Sequence, residues 1–496
     1  MEPSLPASDS SQYSKGTANS VPTTFHHDRL SQKLTWHISP AELITISNGT
    51  VIAVLHNSDH DPSSLTTPRD GDSEEYAILH IETKTKTFNS TTLTNPPTDF
   101  LLANPPLKHL PAHLSSNIHI IISTHSGTGL APSFSTSTLL PILHALQIPQ
   151  TTFTIHTTTS PDTITFLAQT IFLPHALTGQ SQTIILLSGD GGVLDLINVL
   201  NPTVCNNKNN GGATYCPPTI ALLPLGSGNA LANSLLPTAD QTCGLSTLIH
   251  GRPHALPILK ARFSPGSRLL VDEAKHSESL RVLNDRGEGT IYGAVVFSWG
   301  FHATLVADSD TAAYRKFGAE RFLMAAKEAL FPADGSEPHQ YEAKITLFKR
   351  HKPSSDPLRD TEERGTITST PLPKTTYSYV LTTLVSQLEK GFTISPASKP
   401  LDRQLRLIHF GPLGGEQSMR LMDLAYAGGK HVGEEMVGYE EVEGLRIEFK
   451  EGDGRWRRVC VDGKIIMVEE DGWAEVWRDQ WSMIDVLADP RHIPSE

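Results

Sequence analysis

Three segments in the first half of the chain share one pattern: an apolar run, a glycine-rich turn, and then a helix-forming stretch. The apolar runs cover 118–123, 183–188 and 219–225, and a further run, 151–157, lies between the first two. Strands that are apolar on both faces and alternate with helices are typical of a parallel sheet flanked by helices. Ligands bind beyond the carboxyl ends of such strands, so the glycine-rich turns mark the expected site.

We call these segments the first (126–129), second (189–192) and third (226–229) glycine turns. Glycine leaves backbone N–H groups accessible, and a helix that starts directly after such a turn attracts phosphate. The turns match neither the P-loop pattern nor the dinucleotide fingerprint. The second turn contains Asp190, whose carboxylate would hold Mg²⁺, accept a proton from an attacking hydroxyl, or simply cap the helix.

The remaining sequence predicts a mixed α/β protein, in which a parallel sheet flanked by helices is followed by a β-sandwich domain. Residues 1–28 are rich in Ser, Thr and Pro and predict a disordered tail. Short alternating stretches predict a small β-rich module over 29–115. The nucleotide-binding α/β domain is expected over 116–253 and the β-rich domain over 254–490. Polar inserts at 264–289 and 351–374 are predicted to be disordered loops, and one helix is expected over 311–330.

Charge and composition exclude several classes of protein. The 40 Lys and Arg residues are outnumbered by 53 Asp and Glu residues, giving a net charge of −13, which argues against nucleic acid as a partner. The four cysteines contain no CxxC pair and cannot form a disulfide framework, so an intracellular compartment is expected. No apolar stretch approaches the length of a transmembrane helix, and the first residues do not resemble a signal peptide.

Together these motifs resemble the catalytic domain of the diacylglycerol kinase superfamily, and within it they are most similar to the sphingosine kinases. The resemblance rests on the glycine turns and on the blocks PLGSGNALA (224–232), SWGF (298–301), YRKFGAERF (314–322) and VDG (461–463). It covers roughly residues 116–330 and returns weakly at 440–478. It implies an ATP-dependent lipid kinase that phosphorylates the primary hydroxyl of a sphingoid base, with ATP and Mg²⁺ as cofactors.

The resemblance also assigns roles to individual residues. Asp190 would be the catalytic base, and Asp195 and Asp462 would lie near the metal. The sphingoid head group would contact Asp308 or Asp310, with Phe301 beside them. The nucleotide would be bound by Ser123, Ser126, Gly127, Thr158, Ser188, Gly189, Gly191, Gly226, Ser227, Gly228, Asn229, Arg315, Arg321, Asp462 and Gly463.

The sequence departs from the family's pattern at several positions. Ser123-Thr124 replaces the usual Asn-Pro, and Lys464 stands where the family has Glu, near the expected metal. Asp308 and Asp310 lie just before a predicted helix and would equally serve as its N-cap. These departures leave open a non-catalytic lipid- or nucleotide-binding protein on the same fold. Diacylglycerol, ceramide and a soluble nicotinamide nucleotide are the alternative acceptors.

The resemblance extends to partners and location. We expect a lipid substrate, met at a membrane surface by a cytoplasmic protein that associates peripherally with the membrane. A homodimer is one assembly that the sequence leaves open.

Overall fold

The structure, a computed structural model, describes residues 11–39, 42–56, 74–124, 126–127, 129–207, 215–318, 320–350 and 366–493, with backbone alone for 42 and 202–207. Its first unit contains β1 Ser11–Ala18, β2 Val21–Asp28, β3 Lys33–Ser39, β4 Glu42–Ser47, β5 Val51–His56, β6 Glu75–Ile81, β7 Phe88–Thr94 and α1 Thr98–Ala103. The strands form a seven-stranded antiparallel sheet of order β4-β3-β2-β1-β7-β6-β5.

The predicted disordered tail is wrong for residues 11–28. These residues form the β1–β2 hairpin, whose turn places Asn19 and Ser20 at φ 47° and 67°. Phe25 and His27 alternate into the core of the sheet and are almost fully buried. Ser11, Ser14, Thr17 and Thr23 are half-buried in these strands, and their abundance gave the segment the composition of a disordered one. Residues 1–10 lie outside the described part of the chain.

The second unit is a six-stranded sheet that carries the glycine turns. Its elements are β8 Ile118–Ile122, α2 Ala131–Phe134, α3 Leu140–Ala145, β9 Phe153–Thr157, α4 Thr163–Leu167, α5 Leu173–Leu177, β10 Thr183–Ser188, α6 Asp190–Asn207, β11 Thr219–Pro224, α7 Ala230–Leu235, α8 Leu245–His250 and β12 Arg252–Ala255. One-turn π segments join α2 to α3 and α4 to α5, so each pair is continuous. Strands β8 and β10 are buried on both faces, as their apolar runs predicted.

The third unit contains two eight-stranded antiparallel sheets packed around a common core. Its first elements are β13 Leu259–Phe263, β14 Arg268–Val271, β15 His276–Ser279, β16 Arg281–Val282, β17 Gly289–Gly293, β18 Val296–Gly300, α9 Phe301–Ser309, α10 Ala312–Arg315, α11 Glu320–Leu330, β19 Tyr341–Arg350 and β20 Ile367–Pro371. The remaining elements are β21 Thr376–Tyr377, β22 Tyr379–Thr383, β23 Gln387–Glu389, β24 Phe392–Thr393, β25 Leu405–Phe410, α12 Gly415–Tyr426, β26 Val437–Val442, β27 Gly444–Phe449, β28 Arg458–Val461, β29 Lys464–Met467, β30 Trp473–Arg478 and β31 Asp485–Ala488.

Several boundaries in this half differ from the predictions. The insert at 264–289 is not a disordered loop, because β14 and β15 form a hairpin there and β14 pairs with β29. In the second insert, 351–365 lie outside the described residues, and the following residues form β20, paired with β19. The single helix expected over 311–330 is two helices, α10 and α11. Strand β31 belongs to the sheet of the second unit, so the β-rich domain does not run unbroken to residue 490.

The second sheet has the order β12-β31-β11-β10-β8-β9, with parallel pairing from β31 to β9. The N-terminal sheet packs on it through a shared apolar cluster that includes Ile52, Leu79, Ile120 and Leu248. The ring of His250 also contacts the Ile52 carbonyl through Nε2 at 3.1 Å. Among the described residues, no helix is both long and apolar enough to cross a bilayer.

A cluster of histidines on this sheet predicts a loss of stability in acid. His119 is buried, its Nδ1 lies 3.1 Å from Nε2 of His156, and its ring centroid is 5.9 Å from that of His175. Burial, and secondarily the neighbouring imidazoles, lower the pKa of His119 to about 4. Between pH 6.5 and 4 the unfolded chain binds a proton at His119 that the folded chain does not bind. The contribution of His119 to the free energy of unfolding is therefore fully present above pH 6.5 and is lost as the pH falls below that value.

We expect this one site to cost on the order of 2–3 kcal/mol of unfolding free energy as the pH falls from 7 to 4. The measurement is urea unfolding at a series of pH values. His119→Leu should flatten the dependence, whereas His144→Gln, which alters an exposed helical histidine, should not. An unchanged pH slope in His119→Leu would contradict the assignment.

Candidate functional site

The three glycine turns meet at the carboxyl ends of β8, β10 and β11. The contact between the second and third turns requires glycine, because a Cβ on Gly226 would lie 2.3 Å from the Gly189 Cα, and one on Gly189 would lie 2.3 Å from the Gly228 carbonyl oxygen. The first turn joins them, since a Cβ on Gly127 would lie 2.5 Å from the Leu225 carbonyl oxygen. The turns therefore form one interlocked backbone surface.

Side chains hold two of these turns in shape. The Asn229 amide accepts a hydrogen bond from Gly226 N–H through Oδ1 (3.1 Å) and donates to the Gly226 carbonyl through Nδ2 (2.7 Å). At the first turn, Thr158 Oγ1 accepts from Thr124 N–H (3.0 Å), and Thr124 Oγ1 donates to the Thr158 carbonyl (2.8 Å). The Thr124–Thr158 pair thus connects the segment after β8 to the residue that follows β9.

The backbone of the turns borders open space at two glycines. A Cβ added at Gly129 or at Gly191 would meet no atom within 4 Å. Gly191 lies in the first turn of α6, a helix of 18 residues, and N–H groups in a first turn have no intrahelical partner. Such a helix end, with free space in front of it, has the geometry of a phosphate site.

Asp190 is the first residue of α6, and its carboxylate points toward the next helix. Oδ2 accepts a hydrogen bond from Ala230 N–H at 2.7 Å, and Oδ1 accepts one from Leu231 N–H at 3.1 Å. Burial raises the pKa of Asp190, and the two N–H groups oppose that shift. The carboxylate therefore binds the start of α7, not the helix to which Asp190 belongs, and its orientation is fixed by both turns.

The structure brings Asp462 to the same region from the far end of the chain. Asp462 lies in the turn between β28 and β29 at φ 46°, and its carboxylate accepts hydrogen bonds from three successive N–H groups, those of Ala294, Val295 and Val296. Burial raises the pKa of Asp462 to about 7, and the nearby charge of Asp190 contributes to the rise. Two half-buried carboxylates with raised pKa values thus lie near each other beside the glycine turns.

Asp195, one turn after Asp190 in α6, is ion-paired with Lys464, whose Nζ lies 2.8 Å from Asp195 Oδ1. The residues that the sequence assigns to Mg²⁺ do not fit a metal site in this arrangement. The Asp195 carboxylate already has a cation, and the Asp462 carboxylate is filled by backbone N–H groups. Within the described ranges there is no cluster of three or more His, Cys, Asp or Glu side chains that could hold a metal ion.

The predicted head-group acids lie at the end of α9, with Asp308 in its last turn and Asp310 directly after it, and the predicted phosphate-binding arginines follow in α10 and α11. Asp310 accepts hydrogen bonds from Arg315 (3.0 Å) and from Arg321 (3.1 Å). Asp308 is ion-paired with Arg455 (3.0 Å) and Arg458 (2.9 Å). Each acid is thus neutralised by two arginines within the described chain, an arrangement that the sequence did not predict.

Neither acid caps the helix that follows. The N-cap of α10 is Thr311, whose side chain accepts a hydrogen bond from Tyr314 N–H. Asp310 instead follows the last residue of α9. Phe301, the first residue of α9, is buried in the apolar core.

Most of the predicted site residues lie at or just after the carboxyl ends of β8, β9, β10 and β11: Ser123, Ser126, Gly127, Thr158, Ser188, Gly189, Asp190, Gly191, Gly226, Ser227, Gly228 and Asn229. Asp462 and Gly463 lie in the turn between β28 and β29. Burial raises the pKa of the Cys460 thiol in β28, and the charges of Asp462 and Asp310 add to the rise. Sequence reasoning missed Arg455 and Arg458; the basic run 455–458 was the available signal.

Comparison with known proteins gives one family. Residues 117–261 match the family model described as Diacylglycerol kinase catalytic domain. Comparison with curated proteins gives no match.

Two solved structures from Bacillus anthracis str. Sterne are similar to this chain. One is named as a diacylglycerol kinase, with 12% identity, a TM-score of 0.41, and coverage of 76% of this chain and 98% of that chain. The other, named as a candidate diacylglycerol kinase, has 13% identity, a TM-score of 0.47, and coverage of 76% and 97%. Similarities at this level say nothing about substrate.

Proposed function

Because residues 117–261 match the diacylglycerol kinase catalytic domain, we propose that this chain is an ATP-dependent lipid kinase that phosphorylates a primary hydroxyl. The observation that carries the proposal is the convergence of three glycine turns and the half-buried Asp190 carboxylate at one end of a parallel sheet. Phosphoryl transfer needs bound phosphates, neutralised charge and an oriented hydroxyl, with little covalent chemistry from the protein.

In this proposal each group has one task. The glycine turns and the start of α6 bind the nucleotide phosphates through backbone N–H groups. The Asp190 carboxylate accepts the proton of the attacking hydroxyl, and its raised pKa makes it a stronger base than an exposed aspartate. Arg315 and Arg321 bind phosphate oxygens in the geometry that guanidinium groups favour. The acceptor is met at a membrane surface by a cytoplasmic protein.

A sphingoid base is the first acceptor that we propose, on the resemblance of the glycine turns and the SWGF block. A neutral head group, as in diacylglycerol or ceramide, is the second, and one observation favours it. A sphingoid amine needs a carboxylate partner, but Asp308 and Asp310 are each paired with two arginines. A sphingoid base would have to displace an arginine, whereas a neutral head group would not.

The test uses purified protein, labelled ATP and Mg²⁺, with sphingosine, dihydrosphingosine, phytosphingosine, ceramide, diacylglycerol and NAD as acceptors. Label in a sphingoid base supports the first acceptor, and label in diacylglycerol or ceramide supports the second. Label in NAD alone would contradict lipid transfer. No label in any acceptor, from protein with a cooperative unfolding transition, would favour a non-catalytic binding protein.

Loss of Arg315 should weaken ATP binding specifically. We expect Arg315→Met to raise KM for ATP by about tenfold or more, because a charge-assisted hydrogen bond contributes about 1.5–3 kcal/mol. Arg455→Met is the matched control, since the two arginines are equally exposed and each is paired with an aspartate. Steady-state kinetics at varied ATP separates the variants. Equal KM values would exclude Arg315 from phosphate binding.

A further inference from the structure

The ion pair between Lys464 and Asp195 connects the two parts of the site. Lys464 is the first residue of β29, directly after the Asp462-Gly463 turn, and Asp195 lies in α6. Nζ and Oδ1 are 2.8 Å apart, with 15% of the Asp195 side chain and 37% of the Lys464 side chain exposed. The β-sandwich therefore places a fixed positive charge against the helix that begins at Asp190.

The surroundings of the pair leave little room for a second cation. Burial raises the pKa of Asp195, Lys464 lowers it, and the charge of Asp162 raises it further. A divalent ion that bound Asp195 would face the Lys464 ammonium at close range. It would have to displace that group from a half-buried ion pair in which the Asp195 carboxylate is the less exposed partner.

The Asp462 carboxylate has no free lone pair, because the N–H groups of Ala294, Val295 and Val296 donate to both of its oxygens. Each Asp190 oxygen accepts one backbone N–H group, which leaves that carboxylate able to accept a proton but with fewer positions for a metal ion. Mg²⁺ is normally held by one or two carboxylates together with substrate phosphates, and it requires near-octahedral geometry. Backbone N–H groups pointing at the same oxygens compete with that coordination.

We propose that the Lys464 ammonium takes the place of a protein-held divalent cation in this site. Without nucleotide, the protein holds no Mg²⁺ at Asp195 or Asp462. A divalent ion arrives only with the nucleotide phosphates, and Lys464 supplies the remaining positive charge at the α6 end. The role of Lys464 in transfer rests on the proposed function, but the metal-binding statement concerns the protein alone.

The test is Mn²⁺ binding to the nucleotide-free full chain, followed by electron paramagnetic resonance of free Mn²⁺. Wild-type protein is expected to bind no Mn²⁺ at millimolar concentration. Lys464→Glu, which places a second carboxylate beside Asp195, is expected to bind at least tenfold more tightly than wild type, and Mg²⁺ should raise its Tm. Lys450→Glu is the matched control, because Lys450 is paired with Asp471 in an exposed turn.

Two results would overturn the proposal. One is Mn²⁺ binding by the wild type that Asp195→Asn removes, and the other is Lys464→Glu protein that binds no better than wild type. If Lys464→Glu does not fold, Lys464→Met is the deciding variant, because it frees the Asp195 carboxylate. Lys464→Met should bind Mn²⁺ more tightly than wild type, although more weakly than expected for Lys464→Glu. Since no acceptor or ATP is present, failure of the lipid-kinase assay leaves these results interpretable.

Discussion

Gly226→Ala is expected to destabilise the chain by about 2–3 kcal/mol and to abolish ATP binding. The added Cβ would lie 2.3 Å from the Gly189 Cα and 2.4 Å from its nitrogen, so two turns of backbone must separate. Neither neighbour is a flexible side chain that can rotate away. Urea unfolding measures the first effect and calorimetric titration with ATP the second.

Gly191→Ala is the matched variant in the neighbouring turn. Its Cβ would meet no atom within 4 Å, and alanine favours a helix over glycine by about 0.8–1 kcal/mol, so the free energy of unfolding should stay level or rise. ATP affinity should still fall, because the methyl group enters the space assigned to the phosphates. Full ATP affinity in Gly191→Ala would place the nucleotide elsewhere, and wild-type stability in Gly226→Ala would contradict the close approach.

Asp190→Asn is expected to lower kcat for lipid phosphorylation by about 10²–10⁴-fold, the range found for loss of a general base. An asparagine keeps the size of the side chain but cannot accept the hydroxyl proton. It can still accept a hydrogen bond from Ala230 or from Leu231, but not from both. The assay is single-turnover transfer from labelled ATP to the best acceptor of the panel.

Stability separates the catalytic role of Asp190 from its hydrogen bonds to α7. Loss of one such bond should cost about 1–3 kcal/mol and lower Tm in Asp190→Asn. Leu231→Pro would remove the Leu231 N–H donor without changing the carboxylate, but it would also disrupt α7. Tm and phosphoryl transfer are therefore both measured on the same Asp190→Asn sample. A lower Tm with kcat within a few-fold of wild type would make Asp190 a structural residue only.

The local parts of the site could be predicted from sequence. Strands β8 and β10 are buried on both faces, and a run of apolar residues is sufficient to indicate that. The glycine turns follow them directly, so their position at one edge of the sheet follows from parallel pairing alone.

The ion pairs could not be predicted in this way. Asp308 and Asp310 differ by two positions but face different arginines, Arg455 and Arg458 for one and Arg315 and Arg321 for the other. Which arginine reaches which acid depends on how the β28–β29 hairpin packs against α9, and no local pattern contains that information. The same holds for Lys464, whose partner lies 269 positions away.

Composition misled where strands are rich in polar residues. The β1–β2 hairpin is rich in Ser and Thr, and β15 exposes all four of its residues, His276–Ser279, so both segments resemble disordered ones when residues are only counted. Their inward residues, such as Phe25, are too few to stand out, yet they anchor the strands.

Strand β31 has a consequence for how the protein is made. It lies between β12 and β11 inside the sheet that carries the glycine turns, although it comes from the last residues of the described chain. During synthesis, the ribosome releases β8 to β12 hundreds of residues before β31 emerges, so β11 waits with an unpaired edge while the β-sandwich is translated. The surface formed by the glycine turns therefore matures last, when Asp485–Ala488 inserts and closes the sheet.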